Sequence, residues 1–517
     1  LEGLLRLLWR RLESMGAVKG MSAFRVADSP EITPQGRPGK TDGCGERAAA
    51  ESRENSGARY REPLMDVENK KVVVIGMGKS GLSVARWLTV KGAKVTISEM
   101  RGENAFSSGL IHELRDLGIG LEMGGHKEET LLKSDLIVVS PGVPLDLGAL
   151  DAARKRRIPI VGEMGLAVQW MDTPMVAVTG TNGKSTVTAF LGAMLEGAGF
   201  KVFVGGNIGT PLIDYAAGDW KADIAVLEVS SFQLDAMEEF RPVVSVVLNI
   251  SPDHLDRYPS YEAYVQSKLR ICRDQGKGQH TVLNDDDEAL GRFKPANPVS
   301  VLRYGLEKRK NRQAYLEDDG IRAIGPQLQS HHFSLKKCPL MGLHNQENVM
   351  ACVLSGLALN VDPSPIQETI DHFKGLPDRI EWVGRIRNVD FYNDSKATNV
   401  DAAVRSLASF RRPIILIAGG RHKGGDYQPL VGASREKVKK AILLGESRHL
   451  LARSFDGVIP YDFAVGMGDA VSQAFAASES GDMILLAPAC SSFDMFTDYA
   501  HRGKVFREAV EGLKNGR

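Results

Sequence analysis

Apolar runs of four to six residues recur along this chain, and each ends in a polar loop rich in glycine, serine or asparagine. Between them lie stretches with apolar residues at helical spacing. Strands alternating with helices argue for parallel sheets, whose ligand edge lies at the loops after the strands. The first run is Lys70 to Ile75, followed by Gly76-Met77-Gly78-Lys79-Ser80-Gly81 and a helical pattern through Val90. Val95 to Ser98 reads as the next strand, with Glu99 at its end. Leu136 to Val139 leads into Ser140-Pro141-Gly142-Val143, and Ile158 to Ile160 is a short strand. Met175 to Thr179 leads into Gly180-Thr181-Asn182-Gly183-Lys184-Ser185-Thr186 and a helix over Val187 to Leu195. Ile224 to Glu228 and Val243 to Ile250 are further buried runs, and a helix is expected over Tyr261 to Cys272. Residues 290 to 335 are weakly patterned and read as hairpins and loops. In the last third, Val389–Tyr392, Ile414–Ala418, Ala441–Leu444 and Met483–Ala487 repeat the strand-then-loop pattern.

The stretch Gly180 to Thr186 carries the sharpest chemistry. Its glycines let backbone N–H groups turn inward, and the following helix adds its positive end. Lys184 is placed to reach β- and γ-phosphates, and the Ser185 hydroxyl to hold Mg²⁺. A general phosphate loop has glycine where Val178 stands, so this is a tighter relative. Glu228 sits in an apolar strand, where a lone carboxylate is costly and calls for a cation. Asp253-His254 fall at the end of another strand. Gly205, Gly206 and Gly209 around Asn207 indicate backbone close to a ligand. Lys268, by spacing alone, is a solvated lysine. The first glycine loop, with Glu99 where an acidic residue meets a ribose, fits a dinucleotide cofactor or the diphosphate of a nucleotide sugar.

The 517 residues are enough for about three domains. A net charge of +1 removes any bulk electrostatic case for nucleic acid or a membrane surface. No stretch approaches a membrane span of about 20 apolar residues. The five cysteines, Cys44, Cys272, Cys338, Cys352 and Cys490, are scattered and without metal spacing, which fits a reducing compartment. Residues 1–64 lack apolar periodicity after Val26. They read as a disordered or mis-assigned leader, with a short amphipathic helix over Leu1 to Leu12 and Met65 as the native start.

Gly180 to Thr186, Glu228 to Gln233, Asp253-His254, Gly342 to Asn345 and Gly375 to Arg379 together resemble the ATP-dependent Mur ligases of peptidoglycan synthesis. Gly206 to Gly209, Asn393 to Asn399 and Ser491 to Phe496 look like the members that add D-glutamate. The resemblance covers residues 66 to 517 and implies an α/β fold of three domains: a Rossmann-like nucleotide-sugar domain over 65–163, a central parallel-sheet ATPase-like domain over 164–375, and a Rossmann-like domain for the amino acid over 376–517. It implies ATP and two Mg²⁺ ions as cofactors, UDP-MurNAc-L-Ala and D-glutamate as substrates, a cytoplasmic location and a monomer. By resemblance, Lys184, His254 and Lys268 are catalytic. Gly180, Thr181, Asn182, Gly183, Lys184, Ser185, Thr186, Asn345, Arg379 and Asp394 hold ATP. Ser185, Glu228, His254 and Lys268 serve the metals, Lys268 as a carbamate. Lys79, Ser80, Glu99, Arg101, Ser140, Pro141, Gly142 and Asn207 hold the UDP-sugar. Lys396, Thr398, Lys423, Ser492, Phe493 and Tyr499 hold D-glutamate. Another Mur ligase, a folylpolyglutamate-synthase-like ligase, and a dehydrogenase or nucleotide-binding scaffold are the competing readings.

Overall fold

The structure, a computed structural model, describes residues 66–255 and 257–515. The leader, its helix over Leu1 to Leu12 and the start at Met65 lie outside the described residues. Three sheets follow one another along the chain. The first holds β1 (Lys71–Ile75), β2 (Lys94–Glu99), β3 (Gly120–Met123), β4 (Leu136–Val139) and β5 (Ile160–Gly162). All are parallel, in the order β3-β2-β1-β4-β5. The order reverses between β1 and β4. The loops after those two strands meet there, and Ser140 Oγ donates to the Gly76 carbonyl at 3.3 Å. Open parallel sheets bind ligands at such a switch point.

The second sheet has nine strands: β6 (Met175–Thr179), β7 (Val202–Gly206), β8 (Ile224–Glu228), β9 (Val244–Val247), β10 (His280–Asn284), β11 (Ser300–Tyr304), β12 (Ala314–Glu317), β13 (Gly320–Ile324) and β14 (Ser330–Ser334). β6 lies between β8 and β9, parallel to both. The loops after these three strands therefore open at one edge. The weakly patterned stretch resolves into the antiparallel meander β12-β13-β14, added beyond β11. Its strands are half-buried and alternate, which is why their signal is weak beside the continuous apolar runs of the parallel strands.

The third sheet contains β15 (Glu381–Ile386), β16 (Val389–Asn393), β17 (Ile414–Gly419), β18 (Val438–Leu444), β19 (Tyr461–Phe463) and β20 (Met483–Leu486), in the order β15-β16-β20-β17-β18-β19. Only β15 runs antiparallel to its neighbour.

Six helices matter for the site: α1 (Lys79–Val90), α2 (Lys184–Gly197), α3 (Tyr261–Leu269), α4 (Leu343–Ala358), α5 (Val400–Ala408) and α6 (Tyr499–Lys514). The helix expected to reach Cys272 ends at Leu269 and tightens into a 3₁₀ turn over Arg270–Cys272. α2 is buried on most sides, packed between the second sheet and α4, so the phosphate loop springs from the packed core. Phe190 anchors α2, with its ring 5.1 Å from that of Phe373. Removing such a ring leaves a cavity. Phe190→Ala is expected to cost the second-sheet domain about 3–5 kcal/mol in urea unfolding; a loss under about 1 kcal/mol would show that α2 is not held by this packing.

Candidate functional site

The phosphate loop turns where β6 hands over to α2. Gly180 and Gly183 have φ of +151° and +86°. A Cβ on Gly183 would lie 2.5 Å from Asn348 Oδ1, so the turn needs glycine twice over, for conformation and for space. Lys184 Nζ donates to the carbonyls of Gly180 and Thr181, each at 2.9 Å. Lys268 Nζ donates to the same Gly180 carbonyl at 2.9 Å. Two ammonium groups thus share one acceptor. Burial lowers the pKa of Lys184. Burial, then the charge of Lys184, carries Lys268 well below the ordinary lysine value.

Lys268 is only 2 % exposed, which corrects the solvated lysine expected from spacing. The reason lies in α3. Tyr264, Val265, Ser267, Lys268 and Leu269 are all buried there, while Glu262 and Gln266 face out, so the buried face mixes a serine and a lysine with apolar residues and hides Lys268 from a simple pattern. The Lys268 ammonium also lies 4.5 Å from the Tyr264 ring centre, a cation–π contact.

Glu228, at the end of β8, is 2 % exposed. Its Oε1 accepts from Asn207 Nδ2 at 2.8 Å, while its buried Oε2 has no hydrogen-bond partner. A buried carboxylate oxygen without a partner is expensive, and a hard divalent cation suits it. Among the described residues no group of three or more His, Cys, Asp or Glu side chains forms a metal cage. Glu228 and the Ser185 hydroxyl therefore fit an ion that takes its remaining oxygens from phosphates, as Mg²⁺ commonly does.

Asp253 and His254 follow β9. The His254 backbone is left-handed, with φ of +56°, and its Nε2 lies 3.8 Å from Asp253 Oδ2. Its ring packs edge-on against Phe232, with centres 4.9 Å apart. Burial lowers the imidazole's pKa, Asp253 opposes that, and Lys423, Lys268 and Lys184 reinforce it. Burial pushes the Asp253 carboxyl up, but Lys423, His254 and the Asn399 amide together bring it below the ordinary value.

Several of these groups are held by the third-sheet domain. Asn399 Nδ2 donates to Asp253 Oδ2 at 3.0 Å, while Asn399 Oδ1 caps α5. Asp401 Oδ2 accepts from Asn182 Nδ2 of the phosphate loop at 2.6 Å and from Ser251 Oγ at 3.1 Å. Arg379 Nη2 donates to Ser185 Oγ at 2.8 Å. A cleft opens beside these contacts, lined by Gly183, Thr186, Asn345, Arg379, Asp394 and Lys396 among others. Burial raises Asp394 to about 6, partly offset by a hydrogen bond from Ser406 and the charge of Arg379. Burial, then Arg379, lowers Lys396 to about 7. Its ammonium lies 3.6 Å from the Tyr499 ring centre. Thr398 N donates to the Lys396 carbonyl at 2.7 Å. Ser492 is buried, whereas Phe493 is 63 % exposed.

At the first sheet, the Glu99 carboxylate is occupied within its own domain. Met77 N donates to Oε2 at 2.8 Å, and Arg101 N and Nε donate to Oε1 at 3.0 and 2.9 Å. Burial opposes ionisation, but these bonds win and hold the group at about 2. These bonds fix the carboxylate at the end of β2, beside the first glycine loop. Lys79 Nζ donates to the Gly209 carbonyl at 2.5 Å, so the loop carrying Asn207 touches the first sheet at one end and Glu228 at the other. Ser80 is the second residue of α1. Asn207 therefore lies at the boundary between the first and second sheets, with its side-chain amide on the buried Glu228 carboxylate. Arg257 clasps the Ser140-Pro141-Gly142 turn, donating to the Gly142 carbonyl at 3.1 Å and the Val143 carbonyl at 2.5 Å, and stacks on Phe232. Sequence reasoning missed Arg257, Asn399 and Asp401. The only trace of them was that each lies within a few residues of a strand-end motif.

Family models match in three consecutive pieces: the Mur ligase MurD-like N-terminal domain over residues 70–162, the Mur ligase middle domain over 178–356, and the Mur ligase glutamate ligase domain over 378–490. The chain belongs to the Mur ligase family. Two curated relatives, both named UDP-N-acetylmuramoylalanine–D-glutamate ligase, come from Desulfosudis oleivorans and Geotalea daltonii. They are 43% and 41% identical over 452 residues, covering 87% of this chain and 98% and 99% of theirs. Among solved structures, a pseudomurein peptide ligase type C from Methanothermus fervidus shares the fold, with a TM-score of 0.55 at 21% identity over 86% of this chain and 100% of that one.

Asp401→Ala removes the acceptor that joins α5 to Asn182 and Ser251. The variant is expected to loosen the second and third domains, seen as a larger radius of gyration in X-ray scattering and faster amide exchange over residues 180–185. An unchanged scattering profile and exchange rate would show that this contact does not hold the domains together.

Proposed function

We infer that this protein is an ATP-dependent ligase that joins D-glutamate to UDP-N-acetylmuramoyl-L-alanine in the cytoplasmic synthesis of peptidoglycan precursors. The observation that carries this reading is the near end-to-end match to relatives named for that reaction. The geometry supports it. Lys184, Lys268, Arg379, Lys396 and Lys423 form a chain of cations close enough to act on one another, as a reaction between anions requires. Among the described residues no helix is long and apolar enough to cross a membrane. Sites for all three substrates fall within one chain, which suits a monomer.

In this reading residues 65–163 bind the UDP-sugar through Lys79, Ser80, Glu99, Arg101 and the Ser140–Gly142 turn, with Asn207 at the boundary. Residues 164–375 bind ATP through Gly180 to Thr186 and Asn345, and Arg379 and Asp394 close over it. Residues 376–517 bind D-glutamate through Lys396, Thr398, Lys423, Ser492, Phe493 and Tyr499. The L-alanyl carboxylate attacks the γ-phosphorus of ATP, giving an acyl phosphate and ADP. The D-glutamate amine then attacks the acyl carbon, and phosphate leaves. Lys184 and Arg379 lower the charge on the phosphoryl oxygens in the transition state. His254, held between Asp253 and Phe232, orients the attacking carboxylate. Two Mg²⁺ ions, held by Ser185 and Glu228 and beside His254 and Lys268, would supply further positive charge at the phosphates. Closure of the third domain keeps water from the acyl phosphate.

Carbamylation of Lys268 suits its setting. Only a neutral amine attacks CO₂, and burial beside Lys184 favours the neutral form. The new N–C bond forms as a proton leaves to solvent. The product is an anion between Lys184 and the metal-site carboxylate, replacing a second cation.

Phosphate release from ATP is expected to require both UDP-MurNAc-L-Ala and D-glutamate. Release with L-glutamate and a folate instead would favour a folylpolyglutamate-synthase-like ligase. Lys268→Ala is expected to lose most activity, with partial recovery in a short-chain carboxylic acid and none in bicarbonate; undiminished turnover would remove Lys268 from the site. Lys396 titrates at about 7 in the free protein, so it is mostly neutral at pH 8. A docked carboxylate raises that value. Binding of D-glutamate is therefore expected to take up a proton at pH 8 and much less at pH 6, measured by calorimetry in buffers of different ionisation enthalpy. Equal uptake at both pH values would exclude Lys396 from the carboxylate's surroundings.

A further inference from the structure

Arg502 is the largest side chain fully enclosed in the described residues, 1 % exposed, in the first turn of α6. None of its hydrogen bonds goes to a carboxylate. Nε donates to Ser395 Oγ at 3.0 Å, Nη2 to the Ser395 carbonyl at 2.8 Å, and Nη1 to the Cys490 carbonyl at 3.1 Å. Burial lowers its pKa to about 10. Asp494, Asp394 and Asp378 favour its charge only through space, and a guanidinium buried without a hydrogen-bonded carboxylate is an unfavourable arrangement for stability. Its placement therefore asks for another reason.

The three strand-end loops of the third sheet supply it. Ser395 belongs to the loop after β16, which carries Lys396 and Thr398. Cys490 belongs to the loop after β20, which carries Ser492 and Phe493. Gly420 opens the loop after β17, which carries Lys423. Gly420 has φ of +140°, and a Cβ there would lie 2.2 Å from the Ser491 carbonyl and 3.2 Å from Arg502 Nη1. The guanidinium therefore lies beneath all three loops at once. One helical turn earlier, Tyr499 receives Ser395 Oγ on its carbonyl at 2.8 Å and lies against Lys396 with its ring. The planar fork of arginine meets two loops with separately directed N–H groups, which a lysine cannot do.

We propose that Arg502 is the positioning residue of the amino-acid pocket. It sets the spacing of the Lys396, Lys423 and Ser492 loops and thereby the affinity for an acidic amino acid, without touching it. The proposal rests on the reading of those loops as the D-glutamate pocket. Arg502→Lys keeps the charge and loses the fork, and Arg502→Ala loses both.

The test is steady-state kinetics of the full chain, varying ATP, UDP-MurNAc-L-Ala and D-glutamate in turn. Both variants are expected to raise KM for D-glutamate at least tenfold, with KM for the other two substrates within about twofold and kcat at saturation within about threefold. Recovery of the wild-type KM in Arg502→Lys would show that charge alone matters and overturn the positioning role. An equal rise in all three KM values would overturn it as well, by showing general loss of structure. Should Arg502→Ala fail to fold, Arg502→Lys and Ser395→Ala decide, the latter removing one acceptor of the fork and expected to raise only KM for D-glutamate. If the wild-type protein itself shows no D-glutamate-dependent phosphate release, the functional reading fails, and that result is separate from any difference among the variants.

Discussion

Crowding of like charge around the phosphate loop is the constraint from which the rest of the site follows. Lys184 and Lys268 donate to the same Gly180 carbonyl, and Arg379, Lys396 and Lys423 act on them from the third domain. In a setting poor in water such groups repel strongly. Lysines yield by losing protons, so burial and repulsion together depress Lys184, Lys268 and Lys396. Arg379 donates through Nη2 to Ser185 Oγ. Anions relieve the strain, which is what a nucleotide triphosphate and two carboxylate substrates bring. The site is thus built unfavourably when empty and favourably when filled, a stability cost commonly found where function is concentrated.

Much of this was legible before any coordinates. The parallel strands announce themselves as apolar runs, and each motif falls at the carboxyl end of one, because α/β folds gather their loops on that edge. Glu228 was conspicuous as a carboxylate inside an apolar strand, and the structure leaves one of its oxygens without a partner. Lys268 was not legible. Its helix exposes Glu262 and Gln266, but its wide buried face mixes Ser267 and Lys268 with apolar residues, so hydropathy alone does not place the lysine inside. The meander over 314–334 was legible as hairpins and loops but not strand by strand, since partly buried strands carry only a faint pattern. Arg257, Asn399, Asp401 and Arg502 were out of reach because each acts across more than a hundred residues of sequence, and their value comes from the partner they meet.

The domains share their work unevenly. The second sheet contributes the phosphate loop and the Glu228 carboxylate from strands paired on both sides in a nine-stranded sheet. The first and third contribute from loops. Loops on rigid strands tolerate change while the scaffold keeps them aimed. The third-sheet loops can therefore change in chemistry without disturbing the strands that carry the phosphate loop.

The short loop from Gly206 to Gly209 has a further consequence. Lys79 of the first sheet holds one end through the Gly209 carbonyl, and Asn207 at the other end holds a carboxylate oxygen of Glu228. A displacement of this loop at the first sheet moves the amide that orients the Glu228 carboxylate, and a change at the carboxylate moves the loop in turn. Such coupling is reciprocal by thermodynamic necessity. Four residues thus join the first sheet to the end of β8.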